Sequence, residues 1–401
     1  MRVRARVFRD IDEAKRQIEA IGPEPVSVGI MAPKAIHLNL LVEGVRPPIA
    51  IIIKESMLAA GADAAMHREC ITNKIERCDI LVMATRKQLR HAAQTLKMQP
   101  WGIDELAVEM LKAADNFYAT PEPWKLPDGR EFKFDATRIM GVVNITPDSF
   151  SGDGISDAER AIAHAAGLEK DGADIIDIGG ESTRPGAEPV DEKTELARII
   201  PVIRGAADRV KIPISVDTRK PAVAKAAIEA GAVIVNDISG LFDREMLDLC
   251  ARERTPVIAM HMKGTPQTMQ NGPAYSDVVG EVMHYLANRV EDAVQAGIEA
   301  QQIAIDPGIG FGKRLEDNLE LIRRLAEFKT LGQPIAIGVS RKAFIGKITG
   351  LEVDQRIEGS IAAACVAAVN GANIVRCHDV KETKRAMQII DALANTNKQD
   401  D

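Results

Sequence analysis

The sequence lacks the marks of a membrane or secreted protein. It contains no uncharged apolar run of about 18 residues, which a membrane-spanning helix requires. Residues 1–10 alternate Arg with Val and Ala and contain no apolar core of a signal peptide. We therefore expect a soluble, unprocessed cytoplasmic protein that does not bind a membrane.

A basic surface is also missing. The chain carries 51 Lys and Arg against 58 Asp and Glu, which gives a net charge of −7, and no basic stripe is visible. Proteins that bind nucleic acids or anionic lipids neutralise phosphates with clustered Lys and Arg. We expect no nucleic-acid partner, and an anionic substrate must be bound by a local cluster of cations.

Cysteine and histidine pairs with metal-binding spacing are absent as well. None of the five cysteines forms a C-x-x-C motif, and most lie in apolar segments, which is typical of buried thiols in a reduced cytoplasm. No H-x-x-H spacing occurs, so a metal held by protein ligands alone is disfavoured. A hard cation carried by a pyrophosphate stays open. The cysteines are Cys70, Cys78, Cys250, Cys365 and Cys377.

The length and a proline-rich stretch indicate two folding units. At 401 residues the chain exceeds the size of about 250 to 300 residues at which single cores stop growing. Residues 1–120 are predicted to form a small α/β domain, and no motif in them indicates a role. Three prolines within residues 121–127 disfavour helix and predict a linker. In residues 1–120 we predict helices near 11–21, 87–97 and 104–114 and strands near 26–31 and 80–83.

The remaining residues, 138–401, have the pattern of a barrel. Short apolar runs alternate with segments of helical periodicity, which is typical of parallel strands connected by helices. Eight such units in about 264 residues predict a (β/α)8 TIM barrel, with a doubly wound sheet as second choice. Residues 121–137 would then supply the linker and a hairpin that closes the barrel. The strands are predicted at 138–144, 175–179, 214–217, 233–236, 257–260, 303–306, 335–338 and 374–376.

Polar residues follow almost every predicted strand. In a TIM barrel the active site lies at the carboxyl ends of the strands, so polar residues there indicate a site. Any one of them alone is explained more simply as a helix cap or a turn, but eight together favour a site. These segments are 144–150, 179–186, 217–219, 236–237, 261–263, Asp306, 340–342 and 376–379.

The residue types at these ends indicate the chemistry of the ligand. Asp217, Asn236 and Asp306 offer two carboxylates and an amide, which suit a flat heterocycle with several hydrogen-bond donors and acceptors, and Lys342 could cover its ring. Three further residues, Asn144, Arg376 and His378, form a cationic and amide corner between strands 8 and 1, where a phosphate or pyrophosphate would be stabilised.

These segments resemble the dihydropteroate synthase family, in the family's order and from about residue 128 to the end. The first two signatures are residues 139–150 and 176–187. The remaining ones are 215–218, 236–237, 261–266, 306–313, 340–342 and 376–379. The resemblance implies a transferase that joins 6-hydroxymethyl-7,8-dihydropterin pyrophosphate to p-aminobenzoate, which gives 7,8-dihydropteroate and pyrophosphate in folate biosynthesis. Such enzymes are sulfonamide targets, and the resemblance also allows a homodimer.

The resemblance assigns roles to individual residues. The pterin would be bound by Asp217, Asn236, Asp306 and Lys342, in a pocket shaped by Met260 and Phe311. The pyrophosphate and its Mg²⁺ would be bound by Asn144, Arg376 and His378, with Asn144 as the metal ligand. Ser340 would face the p-aminobenzoate carboxylate, and Phe150 and Pro185 would form the walls of its pocket. Thr183 and Arg184 would belong to a mobile second loop that helps to close the site. Lys342, Arg376 and His378 would be catalytic.

The first loop departs from the family pattern. The family normally continues Phe-Ser-Asp-Gly-Gly, whereas here Phe150-Ser151 is followed by Gly152-Asp153-Gly154. The acidic residue Asp153, the expected fourth catalytic group, is therefore displaced by one position. Two other functions stay open at this point: a pterin-dependent methyltransferase, which should lack the second-loop, 340–342 and 376–379 motifs, and a pterin-binding protein without activity.

Overall fold

The computed structural model describes residues 3–8, 10–145, 154–182 and 188–394. The chain divides into two compact units, Met1–Ala119 and Thr120–Asp401, which are described separately. In the described parts of the chain, no helix is long and apolar enough to cross a membrane.

The first unit is a small α/β fold. Its elements are α1 (Ile11–Glu19), α2 (Pro25–Ala35), β1 (His37–Val45), α3 (Pro47–Ala59), β2 (Asp63–Met66), β3 (Cys78–Thr85), α4 (Arg86–Leu96) and α5 (Ile103–Tyr118). The three strands form an antiparallel sheet in the order β1-β3-β2. Alternate residues of β1 point into a core with helix residues such as Ile53 and Leu96, because a strand buries every second side chain.

The strand expected at residues 26–31 is wrong, since these residues belong to helix α2. Pro25 occupies the first turn, where its fixed φ suits a helix and its missing N–H costs nothing. Val28 and Ala32 are buried while Val26 and Ile30 are exposed, so burial follows the four-residue helical spacing rather than alternation. The periodicity of the sequence also did not predict β1, α3 or β2.

The second unit is a (β/α)8 barrel, as the sequence predicted. Its strands, with a preceding hairpin, are β4 (Trp124–Lys125), β5 (Glu131–Phe132), β6 (Arg138–Asn144), β7 (Ile175–Gly179), β8 (Ile214–Asp217), β9 (Ile234–Asp237), β10 (Val257–Met260), β11 (Ile303–Asp306), β12 (Ala336–Gly338) and β13 (Ile374–Cys377). The helices are α6 (Gly154–Lys170), α7 (Glu192–Ala207), α8 (Pro221–Glu229), α9 (Arg244–Glu253), α10 (Val278–Gln295), α11 (Leu315–Arg323), α12 (Ala343–Thr349), α13 (Ile357–Val369) and α14 (Val380–Ala394). The eight barrel strands are parallel in the order β11-β10-β9-β8-β7-β6-β13-β12, and a parallel bridge between Ile305 and Ile335 closes the ring.

The short hairpin β4–β5 fills the amino end of the barrel. Its Trp124 is fully buried and packs against Phe132 and Phe134 at ring distances of 5.8 and 5.2 Å. These rings form one core with the first inward residues of the strands, such as Ile175 and Ile374. An apolar plug at this end leaves only the carboxyl ends of the strands for a polar site.

Candidate active site

The inward-facing side chains of the barrel strands are apolar near the amino ends and polar near the carboxyl ends, as β7 shows. In β7, Ile176 and Ile178 pack in the core that contains the helices, whereas Ile175 belongs to the plugged core inside the barrel. Asp177 and Gly179 share the inward face with Ile175 because side chains alternate along a strand. The inward positions therefore pass from apolar to polar, which places the site inside the barrel at the carboxyl ends of the strands.

Arg376 of β13 lies between two carboxylates inside the barrel. Its Nε donates to Asp177 Oδ2 at 2.6 Å, and its Nη2 donates to Asp217 Oδ2 at 2.7 Å. Burial raises the pKa of Asp217 to about 7, while the positive charge of Arg376 acts in the opposite direction. The two carboxylates raise the pKa of Arg376, so the guanidinium stays charged in spite of burial.

The predicted pterin residues of β9 and β11, Asn236 and Asp306, lie near Arg376 and its two carboxylates. Asn236 is buried and its Nδ2 donates to Asp177 Oδ2 at 3.1 Å. Asp306 is buried too, and its Oδ1 accepts the Gly308 N–H at 2.7 Å. Burial raises the pKa of Asp306, and the Gly308 N–H works against that rise. Both side chains therefore place polar atoms inside the barrel, on the same side as Asp177, Asp217 and Arg376.

Gly308 can occupy its position only because it has no side chain. Its φ is +68°, and a Cβ there would lie 1.9 Å from the carbonyl oxygen of His261. The segment that follows carries Phe311, and Lys342 Nζ lies 4.1 Å from the centre of the Phe311 ring. Burial lowers the pKa of Lys342 to about 8. A flat ligand could therefore meet an aromatic ring and a cation at the same wall.

Lys313 contacts the backbone of this wall, and the sequence analysis did not identify it as a site residue. Its buried Nζ lies 2.9 Å from His261 Nδ1 and donates to the Phe311 carbonyl at 3.0 Å. Burial lowers the pKa of Lys313 to about 7 and keeps His261 neutral by lowering its pKa as well. A lysine that ends the glycine-rich motif 306–313 was the signal in the sequence that could have identified it.

Ser340 and His378 connect the ends of β12 and β13. Ser340 Oγ lies 3.0 Å from His378 Nδ1, and the His378 N–H donates to Ser340 Oγ at 3.3 Å. Burial, aided by the charge of Arg376, lowers the pKa of His378 to about 4, so this imidazole is neutral at pH 7. A neutral imidazole can accept a proton or donate its N–H without adding a charge.

Met260 and Phe311 lie in one small apolar cluster with Ile238 and Met269, which agrees with a shared pocket wall. Asn144 ends β6 and is half-buried. Within the described residues no group of three or more His, Cys, Asp or Glu could hold a metal. A single amide oxygen at Asn144 suits a hard cation that takes its other ligands from pyrophosphate and water.

Five of the expected site residues lie outside the described residues: Phe150, Asp153, Thr183, Arg184 and Pro185. The residues beside the second of these segments are described. Lys220 Nζ donates to Glu181 at 2.7 Å and also to the fully buried Glu195, which ties the end of β7 to helix α7.

Comparison with known proteins identifies the family to which the barrel is similar. A family profile described as pterin binding enzyme matches residues 140–378. Dihydropteroate synthase of Escherichia coli K12 is 44% identical over 265 residues, which are 66% of this chain and 94% of that protein. Dihydropteroate synthase of Synechocystis is 46% identical over 277 residues, which are 68% of this chain and 96% of that protein.

Solved structures give the same result for the fold. The Yersinia pestis dihydropteroate synthase with a sulfonamide drug has a TM-score of 0.65 and 40% identity, and the match covers 68% of this chain and 100% of that one. The Xanthomonas albilineans enzyme with 4-aminobenzoic acid has a TM-score of 0.64 and 44% identity, covering 69% and 99%.

One longer relative extends the match beyond the barrel. A probable bifunctional folylpolyglutamate synthase/dihydropteroate synthase of Halobacterium salinarum is 37% identical over 383 residues. That match covers 95% of this chain but 46% of the relative. It therefore includes most of the first unit as well as the barrel.

Proposed function

The chain belongs to the dihydropteroate synthase family of pterin binding enzymes, and we propose that the polar cluster at the carboxyl ends of its barrel strands is the active site. The enzyme is a transferase that condenses 6-hydroxymethyl-7,8-dihydropterin pyrophosphate with p-aminobenzoate. The bond from the pterin methylene carbon to the pyrophosphate oxygen breaks, and a bond from that carbon to the aniline nitrogen forms. The products are 7,8-dihydropteroate and pyrophosphate, and the aniline nitrogen loses a proton.

The pterin is bound by Asp217, Asn236, Asp306 and Lys342. Two buried carboxylates accept hydrogen bonds from the ring N–H groups, and the amide of Asn236 can both donate and accept. Asp217, Asn236 and Asp306 lie on β8, β9 and β11, and Lys342 lies between β12 and α12. The barrel fixes these positions, so the groups bind the ring without reorganising. Lys342, in contact with Phe311, covers the ring face together with Met260.

The pyrophosphate is bound by Arg376, His378 and Asn144 at the corner between β13 and β6. Arg376 supplies a permanent positive charge, which stabilises the negative charge that grows on the leaving pyrophosphate. His378 is neutral and donates a hydrogen bond. Mg²⁺, when bound with the pyrophosphate, would have Asn144 as its protein ligand and would further neutralise the phosphate oxygens.

The p-aminobenzoate is bound beside Ser340, whose hydroxyl connects through His378 to the pyrophosphate corner. Thr183, Arg184, Phe150 and Pro185 would complete this pocket, and Asp153 would stabilise the positive pterin methylene. The arylamine is already neutral at pH 7, so its attack requires no strong base. A closed pocket excludes water, which would otherwise capture the pterin carbon.

The observation that carries this proposal is the buried set of Asp217, Asn236 and Asp306 around a charged Arg376. The test is pyrophosphate release by the purified protein with both substrates and Mg²⁺. We expect release only when both substrates are present, with sulfonamide competing against p-aminobenzoate. Pterin binding without pyrophosphate release would indicate a pterin-binding protein, and methyl transfer from a methylated pterin would indicate a methyltransferase.

The metal and assembly are tested separately. Chelation of Mg²⁺ should reduce turnover and be reversed by added Mg²⁺, and Asn144→Ala should raise the Mg²⁺ concentration needed for half-maximal rate. A cytoplasmic location and a homodimer are part of this proposal. Sedimentation of the full chain decides between a monomer and a homodimer.

A further inference from the structure

We propose that Asp177 is a positioning residue of the pterin site. One of its carboxylate oxygens fixes Arg376 and Asn236, and the other accepts a hydrogen bond from a pterin N–H or from a water molecule that contacts the pterin. This inference rests on the proposed function, because it assumes that the surrounding cluster binds a pterin.

The first observation is that Asp177 connects two residues with separate roles. Its Oδ2 accepts from Arg376 Nε at 2.6 Å and from Asn236 Nδ2 at 3.1 Å. Arg376 belongs to the pyrophosphate corner, whereas Asn236 belongs to the pterin pocket. Without this shared acceptor, each side chain would lose one of the contacts that restrict its rotamer.

The second observation is that Asp177 is fully buried and that only one of its two carboxylate oxygens accepts hydrogen bonds from the part of the chain that the structure describes. Its Oδ1 has no hydrogen-bond partner among the described residues. A buried carboxylate oxygen without a donor is costly, so such atoms usually meet a water molecule or a ligand. An aspartate that served packing alone would be expected to have both oxygens bound by the protein.

The third observation is that a second such atom lies on the next strand. Ser215 of β8 is the register partner of Asp177, and its buried Oγ also has no partner in the described parts of the chain. Because these two unsatisfied atoms occupy neighbouring inward positions, we infer that one donor bonds both of them. That donor is a pterin N–H or a water molecule that contacts the pterin.

A comparison with Asp237 separates this arrangement from an ordinary structural aspartate. Asp237 ends the adjacent strand β9 and is equally buried. Its oxygens accept from the Ser239 N–H and hydroxyl and from the Leu241 N–H. It therefore caps the local loop and contacts no residue assigned to substrate, which makes it a matched control.

The experiment measures binding of 6-hydroxymethyl-7,8-dihydropterin pyrophosphate by titration calorimetry in wild-type protein, Asp177→Asn and Asp237→Asn. We expect Asp177→Asn to bind at least about tenfold more weakly and to lose turnover, because Arg376 and Asn236 are no longer held by a charged acceptor. We expect Asp237→Asn to melt at lower temperature and to keep the wild-type affinity on the alkaline side of the Asp217 pKa, where Asp217 is ionised in both proteins. Should Asp177→Asn not fold, Asp177→Ser replaces it, since the smaller side chain admits water.

A pH series provides a readout that a structural role would not move. The charges acting on Asp217 include those of Arg376, Asp177, Glu195, Asp237 and Lys342, and the negative charge of Asp177 helps to raise the Asp217 pKa. In Asp177→Asn the acidic limb of pterin binding should therefore shift to lower pH. The inference is overturned if a folded Asp177 variant binds the pterin with wild-type affinity and its acidic limb lies at the same pH as in the wild-type protein. Failure of the wild-type protein to bind the pterin overturns the proposed function instead.

Discussion

Asp217 and Lys342 have pKa values that approach neutrality from opposite directions. Burial raises the pKa of Asp217 to about 7 and lowers the pKa of Lys342 to about 8. In the proposed site the pterin ring donates hydrogen bonds to Asp217, so binding would require the ionised carboxylate. The ring would also contact Lys342 as a cation, so binding would require the protonated amine. The charges that act on Lys342 come from Arg376, Asp306 and Asp217.

These two groups predict a bell-shaped pH dependence of pterin affinity. Below about pH 7 Asp217 gains a proton, and above about pH 8 Lys342 loses one, so the affinity should fall by about tenfold per pH unit outside this window. Calorimetry between about pH 5.5 and 9.5, roughly 1.5 units on either side of the window, measures this dependence. Lys342→Arg keeps its charge at all these values and should lose the alkaline limb only. Persistence of that limb in Lys342→Arg would assign it to another group.

Two glycines with the same backbone conformation allow a second prediction. Gly308 and Gly350 have φ of +68° and +75°, but only Gly308 has a neighbour where a Cβ would lie. Gly350→Ala should lower the free energy of unfolding by about 1 kcal/mol through backbone strain alone. Gly308→Ala must also move the His261 carbonyl and with it Asp306, so pterin binding should be lost. Equal affinities for the two variants would show that the segment tolerates the shift.

At the scale of elements, stability and function depend on opposite ends of the barrel. The hairpin β4–β5 stabilises the amino end, and the carboxyl ends of the strands carry the candidate site. The hairpin seals the amino end of the barrel with aromatic side chains, while all predicted pterin residues in the described chain lie toward the other end. Gln302, just before β11, binds both backbone groups of Lys125 at 3.0 and 2.6 Å and so anchors the hairpin. The plug and the site are therefore separable by mutation.

Trp124→Ala is expected to destabilise the barrel without changing its chemistry. Removal of a fully buried tryptophan costs about 3 to 5 kcal/mol, which urea unfolding measures. The KM for p-aminobenzoate should change little at a temperature where the variant is folded. The matched control is Trp101→Ala, since Trp101 is 70% exposed and should shift the unfolding free energy by less than about 1 kcal/mol. A strong effect on KM would mean that the plug shapes the site.

The elements of the first unit were harder to predict than those of the barrel. Residues 26–31 alternate in the manner of a strand, yet they form a helix because Pro25 starts a turn, Val28 is buried, and Ala32 packs against Ala14 and Ile36. Cys70 and Cys78 also come together, with their sulfur atoms 3.1 Å apart in the core of this unit. Neither contact follows from spacing along the chain.

At the scale of the whole molecule, the barrel alone accounts for the length of the shorter synthases. Residues that make up 66% of this chain cover 94% of the Escherichia coli synthase. Most of residues 1–119 have a counterpart in the longer Halobacterium salinarum protein. The first unit thus adds a compact body that the shorter synthases do not need for their reaction.

We therefore expect residues 120–401, expressed alone, to fold and to release pyrophosphate at a rate similar to that of the full chain, since every residue assigned to the site lies in the second unit. The assay uses both substrates and Mg²⁺, with circular dichroism as the check that the truncated protein is folded. A folded but inactive fragment would show that the first unit takes part in catalysis. A normal rate with a lower melting temperature would assign it a stabilising role.

Local patterns in the sequence were enough to predict the barrel and to group several residues of the candidate site. Strand and helix periods are local properties, and the carboxyl ends of parallel strands must meet, so Asp217, Asn236, Asp306 and Arg376 could be grouped from the sequence alone. How these groups are paired depends on the tertiary structure. Arg376 and Asp177 are 199 residues apart, and the pairing of β13 and β7 with the two sides of β6 brings them within 2.6 Å. Their contact follows from barrel geometry rather than from any local pattern, and the same holds for the topology of the first unit.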